Sequence, residues 1–198
     1  MINWKLFETA KGVPGYLYEL EQLTLAYLAS QVPEGGQILE IGAYCGKSTA
    51  TLLSGARGRA IHTVDTWAGD DEFLFAGEVT GAMVRKSFFG RIQPAIDLGR
   101  VAVYEGDYRK VCASMPKESY DLIFVDGPHS IEHGQPTIDI VLPLLKPGGV
   151  IAVHDFFYSI GDYPGVEIIV KHLANSPDFE NGQQVRTLAI FRRKQEIV

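Results

Sequence analysis

Between residues 37 and 174, short apolar runs alternate with stretches of helical periodicity. A short apolar run bounded by turn residues reads as a strand buried on both faces, and strands separated by helices imply a parallel sheet covered on each side. The strands predicted in this way are 37–43, 60–66, 101–107, 120–127 and 149–156. Helices are predicted over 46–55, 131–145 and 166–174, the second stopped by Lys146-Pro147-Gly148-Gly149. Ahead of the sheet, Tyr16, Leu17, Leu20, Leu23, Tyr27 and Leu28 recur at helical spacing, so 15–31 reads as an amphipathic helix whose apolar stripe packs inward. Near the other end, Asn181-Gly182 reads as a hairpin turn leading into a final antiparallel strand over 185–193. The fold class expected is α/β: a doubly wound, mostly parallel sheet with one antiparallel strand near the C-terminus.

A chain of 198 residues suits one domain over 1–198, with 1–36 as an N-terminal helical segment and 67–100 as a long crossover. Within that crossover 79–96 reads as helix and 68–78 as a loop long enough to act as a lid. Hydrophobic residues at 46% and charged residues at 21% exclude a disordered chain. Eighteen basic against twenty-four acidic side chains leave no positive field to hold a phosphate backbone, which excludes nucleic acid as a partner. Apolar runs fall far short of the roughly 20 residues of a membrane span, and residues 1–15 lack a signal-peptide layout, so a cytoplasmic protein is expected. Cys45 and Cys112 are too few for a disulfide framework or a four-cysteine zinc site, in keeping with a reducing compartment.

In an open parallel sheet, ligands bind beyond the carboxyl ends of the strands. Those ends carry Glu40 and Gly42, Asp65, Asp107, Asp126, and His154 with Asp155. The first strand runs into a glycine turn, Glu40-Ile41-Gly42-Ala43-Tyr44-Cys45-Gly46-Lys47-Ser48-Thr49. A dinucleotide fingerprint fails there, because Tyr44 and Lys47 stand where it needs glycine. A nucleotide-triphosphate loop requires four residues between its glycines, and Gly42 and Gly46 enclose three. With Asp126 closing an apolar strand, a P-loop-like nucleotide hydrolase nonetheless stands as an alternative.

The remaining pattern, Glu-x-Gly-x-x-x-Gly-x-Ser, is followed by Asp65 after the second run, Glu105-Gly106-Asp107-Tyr108 after the third, and Leu144-Leu145-Lys146-Pro147-Gly148-Gly149 before the fifth. In that order the chain resembles class I S-adenosylmethionine-dependent methyltransferases. The resemblance implies S-adenosylmethionine as cofactor, with Gly42 and Gly46 admitting its close approach and Glu40 near its methionine end. Asp65 then takes the ribose hydroxyls and Asp107 the adenine amino group, with Ala43, Ser48, Thr66, Trp67 and Tyr108 completing the cofactor site. Asp126-Gly127-Pro128-His129-Ser130, followed by Ala152-Val153-His154-Asp155-Phe156, resembles small bacterial O-methyltransferases of sugars and natural products. A small hydroxyl compound is thus the implied substrate and partner, with a homo-oligomer left open and a non-catalytic nucleoside-cofactor-binding protein as a second alternative.

Two ways of activating a hydroxyl are open. Asp126 and Asp155 end neighbouring predicted strands and could share a Mg²⁺ ion, with His154 as a further donor. His129, three residues after Asp126, could instead act as general base beside it, since imidazole titrates in the right range. His133, four residues on, would share a helix face with His129 as a metal pair. Cys45 reads as a small loop residue, and Phe156, Phe157, Tyr158 and Tyr163 as either packing or an aromatic wall for a ring-bearing or sugar acceptor.

Overall fold

The computed structural model describes residues 1–58, 60–68, 79–127, 129–157 and 163–195. The predicted lid, from residue 69 onward, and Tyr158 lie outside the described residues. Strands β1 (Gln37–Ile41), β2 (Ala60–Asp65), β3 (Val101–Glu105), β4 (Tyr120–Val125) and β5 (Leu145–Val153) follow the expected apolar runs. With β6 (Gln183–Val185) and β7 (Leu188–Arg192) they form one sheet in the order β3-β2-β1-β4-β5-β7-β6. Pairing is parallel from β3 to β5, and antiparallel from β5 through β7 to β6. The strand order reverses between β1 and β4, which opens a crevice at their carboxyl ends.

Alternation along the strands sends side chains to both faces. Ile38, Leu122 and Phe124 join Leu25, Leu52 and Phe88 on one face, while Leu39, Ile123 and Ile151 join Val141 and Ile169 on the other. Each such buried side chain contributes about 1.5–3 kcal/mol. Helices α1 (Trp4–Lys11), α2 (Glu19–Gln31), α3 (Lys47–Gly55), α4 (Gly81–Asp97), α5 (Tyr108–Ala113), α6 (Ile131–Pro136) and α7 (Pro164–Asn175) supply the covering layers. Two of them escaped the sequence reading. Helix α1 is capped by Asn3, whose side chain accepts from Leu6 N at 3.2 Å, and α5 by Asp107, which accepts from Arg109 N at 2.9 Å.

Three expectations are corrected. The C-terminal hairpin has two antiparallel strands, and it turns at Arg186 (φ 55°) and Thr187. Gly182 precedes β6 and serves close packing, since a Cβ there would lie 2.3 Å from the Phe191 ring. The predicted helix 131–145 is α-helical only to Pro136, continues as a π turn over Thr137–Val141 and a 3₁₀ turn over Leu142–Leu144, and gives way to β5. The third correction concerns α2, whose expected apolar stripe packs inward only in part: Leu17 is buried and Leu28 packs on the core, but Leu20 is 54% and Tyr27 55% exposed, while Glu21, Gln22, Leu25, Ala26 and Ala29 are buried. Small residues decide this orientation, because a Cβ on Gly55 of α3 would sit 2.0 Å from Ala26 O, so the two helices meet backbone to backbone. Among the described residues, no helix is long and apolar enough to cross a membrane.

Candidate active site

A cavity of 670 Å³ opens at the carboxyl ends of the parallel strands. Gly42–Tyr44, Asp65–Trp67 and Gly106–Arg109 line it on the β1, β2 and β3 side; Asp126, His129, His154, Asp155, Phe157 and Tyr163 line it beyond β4 and β5. Tyr44, Trp67 and Asp155 all line it with positive φ, at 48°, 45° and 61°. Non-glycine residues pay backbone strain to adopt such angles, and that strain concentrates where side chains must be aimed at a ligand.

Gly42 is required by the fold itself. Its Cβ would lie 1.5 Å from Asp126 O, so only glycine lets the end of β1 approach the end of β4. Asp65 closes the same turn from β2: Oδ2 accepts from Ala43 N at 2.7 Å and Tyr44 N at 3.0 Å, and Oδ1 from Trp67 N at 2.6 Å. A carboxylate has about four acceptor positions, so roughly one stays open toward the cavity. This arrangement counts against the P-loop alternative, because the Ala43 and Tyr44 N–H groups of the turn already serve a carboxylate. Trp67 donates Nε1–H to Tyr44 O at 3.1 Å and packs on Phe88 with the rings tilted by 51°, fixing the wall beside the turn. Thr66 Oγ1 accepts from Ala68 N, and Ala43 and Ser48 are buried along the cavity.

Two acids differ from their expected setting. Glu40 is fully buried and does not line the cavity; its Oε2 accepts from Thr49 Oγ1 at 2.6 Å and Thr63 Oγ1 at 2.7 Å, tying β1 to α3 and β2. Burial pushes its carboxyl up to about 7. Asp107 lines the cavity, but both its oxygens are engaged by the Arg109 guanidinium at 2.7–3.0 Å, which holds it below the usual carboxylate range. Tyr108 sits beneath, with its hydroxyl 3.0 Å from Thr137 Oγ1 and 3.3 Å from His133 Nδ1. His133 thus packs with Tyr108, and α6, which begins only at Ile131, does not carry His129 on its face.

At the other end Asp155 is shared. Its Oδ2 lies 2.9 Å from His129 Nε2 and its Oδ1 3.3 Å from His154 Nδ1, which is also 3.2 Å from Asp126 Oδ1. One donor atom from each of Asp126, His154 and Asp155 lies within 4.8 Å of the others. The opposite face of His154 meets Glu21 of α2, with Nε2 to Oε2 at 3.3 Å. Burial disfavours a charged His154, but Asp126, Asp155 and Glu21 outweigh it and raise its pKa far above the usual imidazole range. Asp155 is half-buried, which works against its charge, but its two histidine neighbours drive its carboxyl well below the ordinary range. The His129 ring lies 4.7 Å from Tyr163, which lies 5.9 Å from Phe157, forming an aromatic wall; Phe156 instead packs into the core.

Glu21, Tyr18 and Thr187 escaped the sequence reading. Glu21 Oε2 accepts from Tyr18 N at 2.9 Å, and Oε1 from Thr187 N and Oγ1, each at 2.8 Å. The available signal was a glutamate three residues into the helix, which supplies one half of a capping box by accepting from the Tyr18 backbone N–H.

A family model described as a methyltransferase domain matches residues 39–156, which run from β1 to just beyond β5. The chain belongs to this methyltransferase family. A relative from Mycobacterium sp. (strain JLS), assigned by name to the O-methyltransferases, is 30% identical over 131 residues, covering 66% of this methyltransferase and 53% of the relative. The chain spans about half the length of the curated relatives it matches. Among solved structures, the Bacillus cereus O-methyltransferase in complex with SAH is 20% identical with a TM-score of 0.67, covering 97% of this chain and 90% of that one. A SAM-dependent O-methyltransferase from Thermotoga maritima is 17% identical with a TM-score of 0.63, covering 98% and 72%. These two likenesses bear on the fold. What this methyltransferase shares with them is its overall fold.

Proposed function

We propose that this methyltransferase transfers a methyl group from S-adenosylmethionine to the hydroxyl of a small compound. The observation that carries this reading is the 2.9 Å contact between His129 Nε2 and Asp155 Oδ2, in the cavity that also holds Asp65 and the Gly42 turn. A histidine oriented by a carboxylate is a competent general base. Donation of Nε2–H to Asp155 makes Nδ1 the basic nitrogen, and His129 there takes the acceptor's hydroxyl proton.

S-adenosylmethionine, when bound, supplies a methyl on a positively charged sulfur, which needs no further activation. The protein's task is alignment and proton removal, and alignment alone lowers the barrier by several kcal/mol. Asp65, with its one open acceptor position, holds the ribose. The Tyr163 and Phe157 rings hold an acceptor that carries a ring of its own. Asp126, His154 and Asp155 would hold a divalent cation, which would lower the pKa of an acceptor oxygen. The two carboxylates suit such an ion, and His154 would become a third donor only on giving up the proton that Asp126, Asp155 and Glu21 hold on it.

The test is thermal denaturation with single ligands, followed by transfer of labelled methyl to a panel of phenols and sugars. S-adenosylmethionine or S-adenosylhomocysteine raises the melting temperature, whereas NAD or ATP with Mg²⁺ leaves it unchanged. Stabilisation by ATP alone overturns the reading. Tight cofactor binding with no transfer to any hydroxyl in the panel favours the non-catalytic binder.

A further inference from the structure

The turn between β6 and β7 stands at the carboxyl end of β5, because β7 runs antiparallel to β5 and Phe156 N donates to Thr187 O at 2.9 Å. Arg186 and Thr187 form it. Thr187 lines the cavity, and its Oγ1 lies 3.3 Å from His154 Nε2. His154 in turn meets Asp155, which holds His129, so the turn flanks the half of the cavity where an acceptor hydroxyl would lose its proton.

Arg186 is exposed beside this half of the cavity, with its guanidinium carbon 3.9 Å from the centre of the Tyr18 ring, and Tyr18 lines the cavity as well. The ring covers one side of the guanidinium and leaves the N–H fork open: among the described residues, Arg186 makes no ion pair and donates no side-chain hydrogen bond. Lys47 and Arg109, which line the cavity directly, lie in the first turns of α3 and α5, after β1 and β3, and Asp107 takes up Arg109. The backbone does not favour arginine at position 186. Its φ of 55° is a left-handed angle that hairpin turns give to glycine, asparagine or aspartate. A larger residue costs strain there, and contact with a half-exposed tyrosine returns little of it.

A guanidinium fork matches the paired oxygens of a carboxylate or phosphate, and hydrogen bonds between charged partners are the strong ones. We infer that Arg186 selects the methyl acceptor: the hydroxyl compound carries an anionic group, a carboxylate or a phosphate, that pairs with this guanidinium while its hydroxyl faces His129. The inference rests on the proposed O-methylation and narrows its substrate from a small hydroxyl compound to a hydroxylated acid.

The experiment measures kcat/KM for methyl transfer to catechols that differ in one substituent: 3,4-dihydroxybenzoate, 3,4-dihydroxybenzylphosphonate and the neutral methyl ester of the first. Each is compared in the unaltered protein, Arg186→Gln, Arg186→Lys and Arg186→Gly. Glycine suits a φ of 55°, so the last variant keeps the turn even if the glutamine variant is unstable, and melting temperatures report folding. The unaltered protein should prefer an acid to the ester. Arg186→Gln and Arg186→Gly should reduce that preference by about ten- to a hundredfold, the range of a charged hydrogen bond, mainly through the KM of the acid, and Arg186→Lys should retain part of it. Whichever acid is preferred identifies the anion. Equal kcat/KM for acids and ester in the unaltered protein, or a preference for the ester, overturns the inference. An equal loss on acid and ester in the variants also overturns it and leaves Arg186 as a clasp on Tyr18. If S-adenosylhomocysteine binds but neither these catechols nor any other hydroxyl compound of the panel is methylated, the proposed O-methylation itself fails, and this inference falls with it.

Discussion

Glu21 and His154 stand 133 positions apart in the chain and meet in the interior, Oε2 to Nε2 at 3.3 Å, with side chains 0% and 2% exposed. The carboxylate also receives three hydrogen bonds from Tyr18 and Thr187, so all its acceptor positions are served. Burial works against its charge, yet His154 and Thr187 hold its pKa below the usual range. Because the other ring nitrogen of His154 faces Asp126 and Asp155, Glu21 orients that ring from behind. Glu21→Ala should cost about 3–5 kcal/mol of stability, the loss expected when a buried charge is left without its partner, as read by urea denaturation. Glu21→Gln, which keeps an acceptor, should remain folded, lower kcat and leave S-adenosylhomocysteine affinity unchanged. An unchanged kcat would reduce Glu21 to a clasp between α2 and the hairpin.

His129 is held by Asp155 at 2.9 Å and by ring contact with Tyr163 at 4.7 Å. Replacing it with alanine should lower kcat by about 10²- to 10⁴-fold, the range for loss of a general base. Binding of S-adenosylhomocysteine should persist, since Asp65 and the glycine turn are untouched. A His129→Ala variant with full activity would leave alignment as the whole mechanism.

Glu40 sets a pH dependence of stability. Its folded pKa of about 7 lies above the ordinary carboxyl value of 4.5, so the folded state binds the proton more tightly than the unfolded chain. Its stabilising contribution is therefore complete below about pH 4.5 and is lost as pH rises through 7, beyond which the loss is constant. Urea midpoints for the unaltered protein should include this decline between pH 4.5 and 7, and Glu40→Gln should flatten it. Identical pH profiles for the two proteins would count against the raised pKa.

Cation binding at Asp126, His154 and Asp155 can be separated from turnover. Calorimetry should find Mn²⁺ bound more tightly than Mg²⁺ and a proton released on binding, because His154 must lose its proton to become the ring-nitrogen donor of the three. Asp155→Asn should abolish binding of both ions. Full turnover in EDTA, with no metal by elemental analysis, would assign the chemistry to His129 and Asp155 alone.

Local pattern alone determined a good deal. Apolar runs bounded by turns marked β1 to β5, since each strand is a contiguous segment whose burial shows as composition, and the polar residues that end them marked Asp65, Asp126, His154 and Asp155 for the cavity. Only the tertiary structure decided which of those acids are available. Glu40 turned away from the cavity toward Thr49 and Thr63, and Asp107 was taken by Arg109, whose reach depends on the turn into α5. The same holds for α2, where periodicity identified a helix but not its inner face. That choice fell to the close approach of Ala26 and Gly55 and to the partners awaiting Glu21, contacts between residues distant in sequence that leave no local periodic trace.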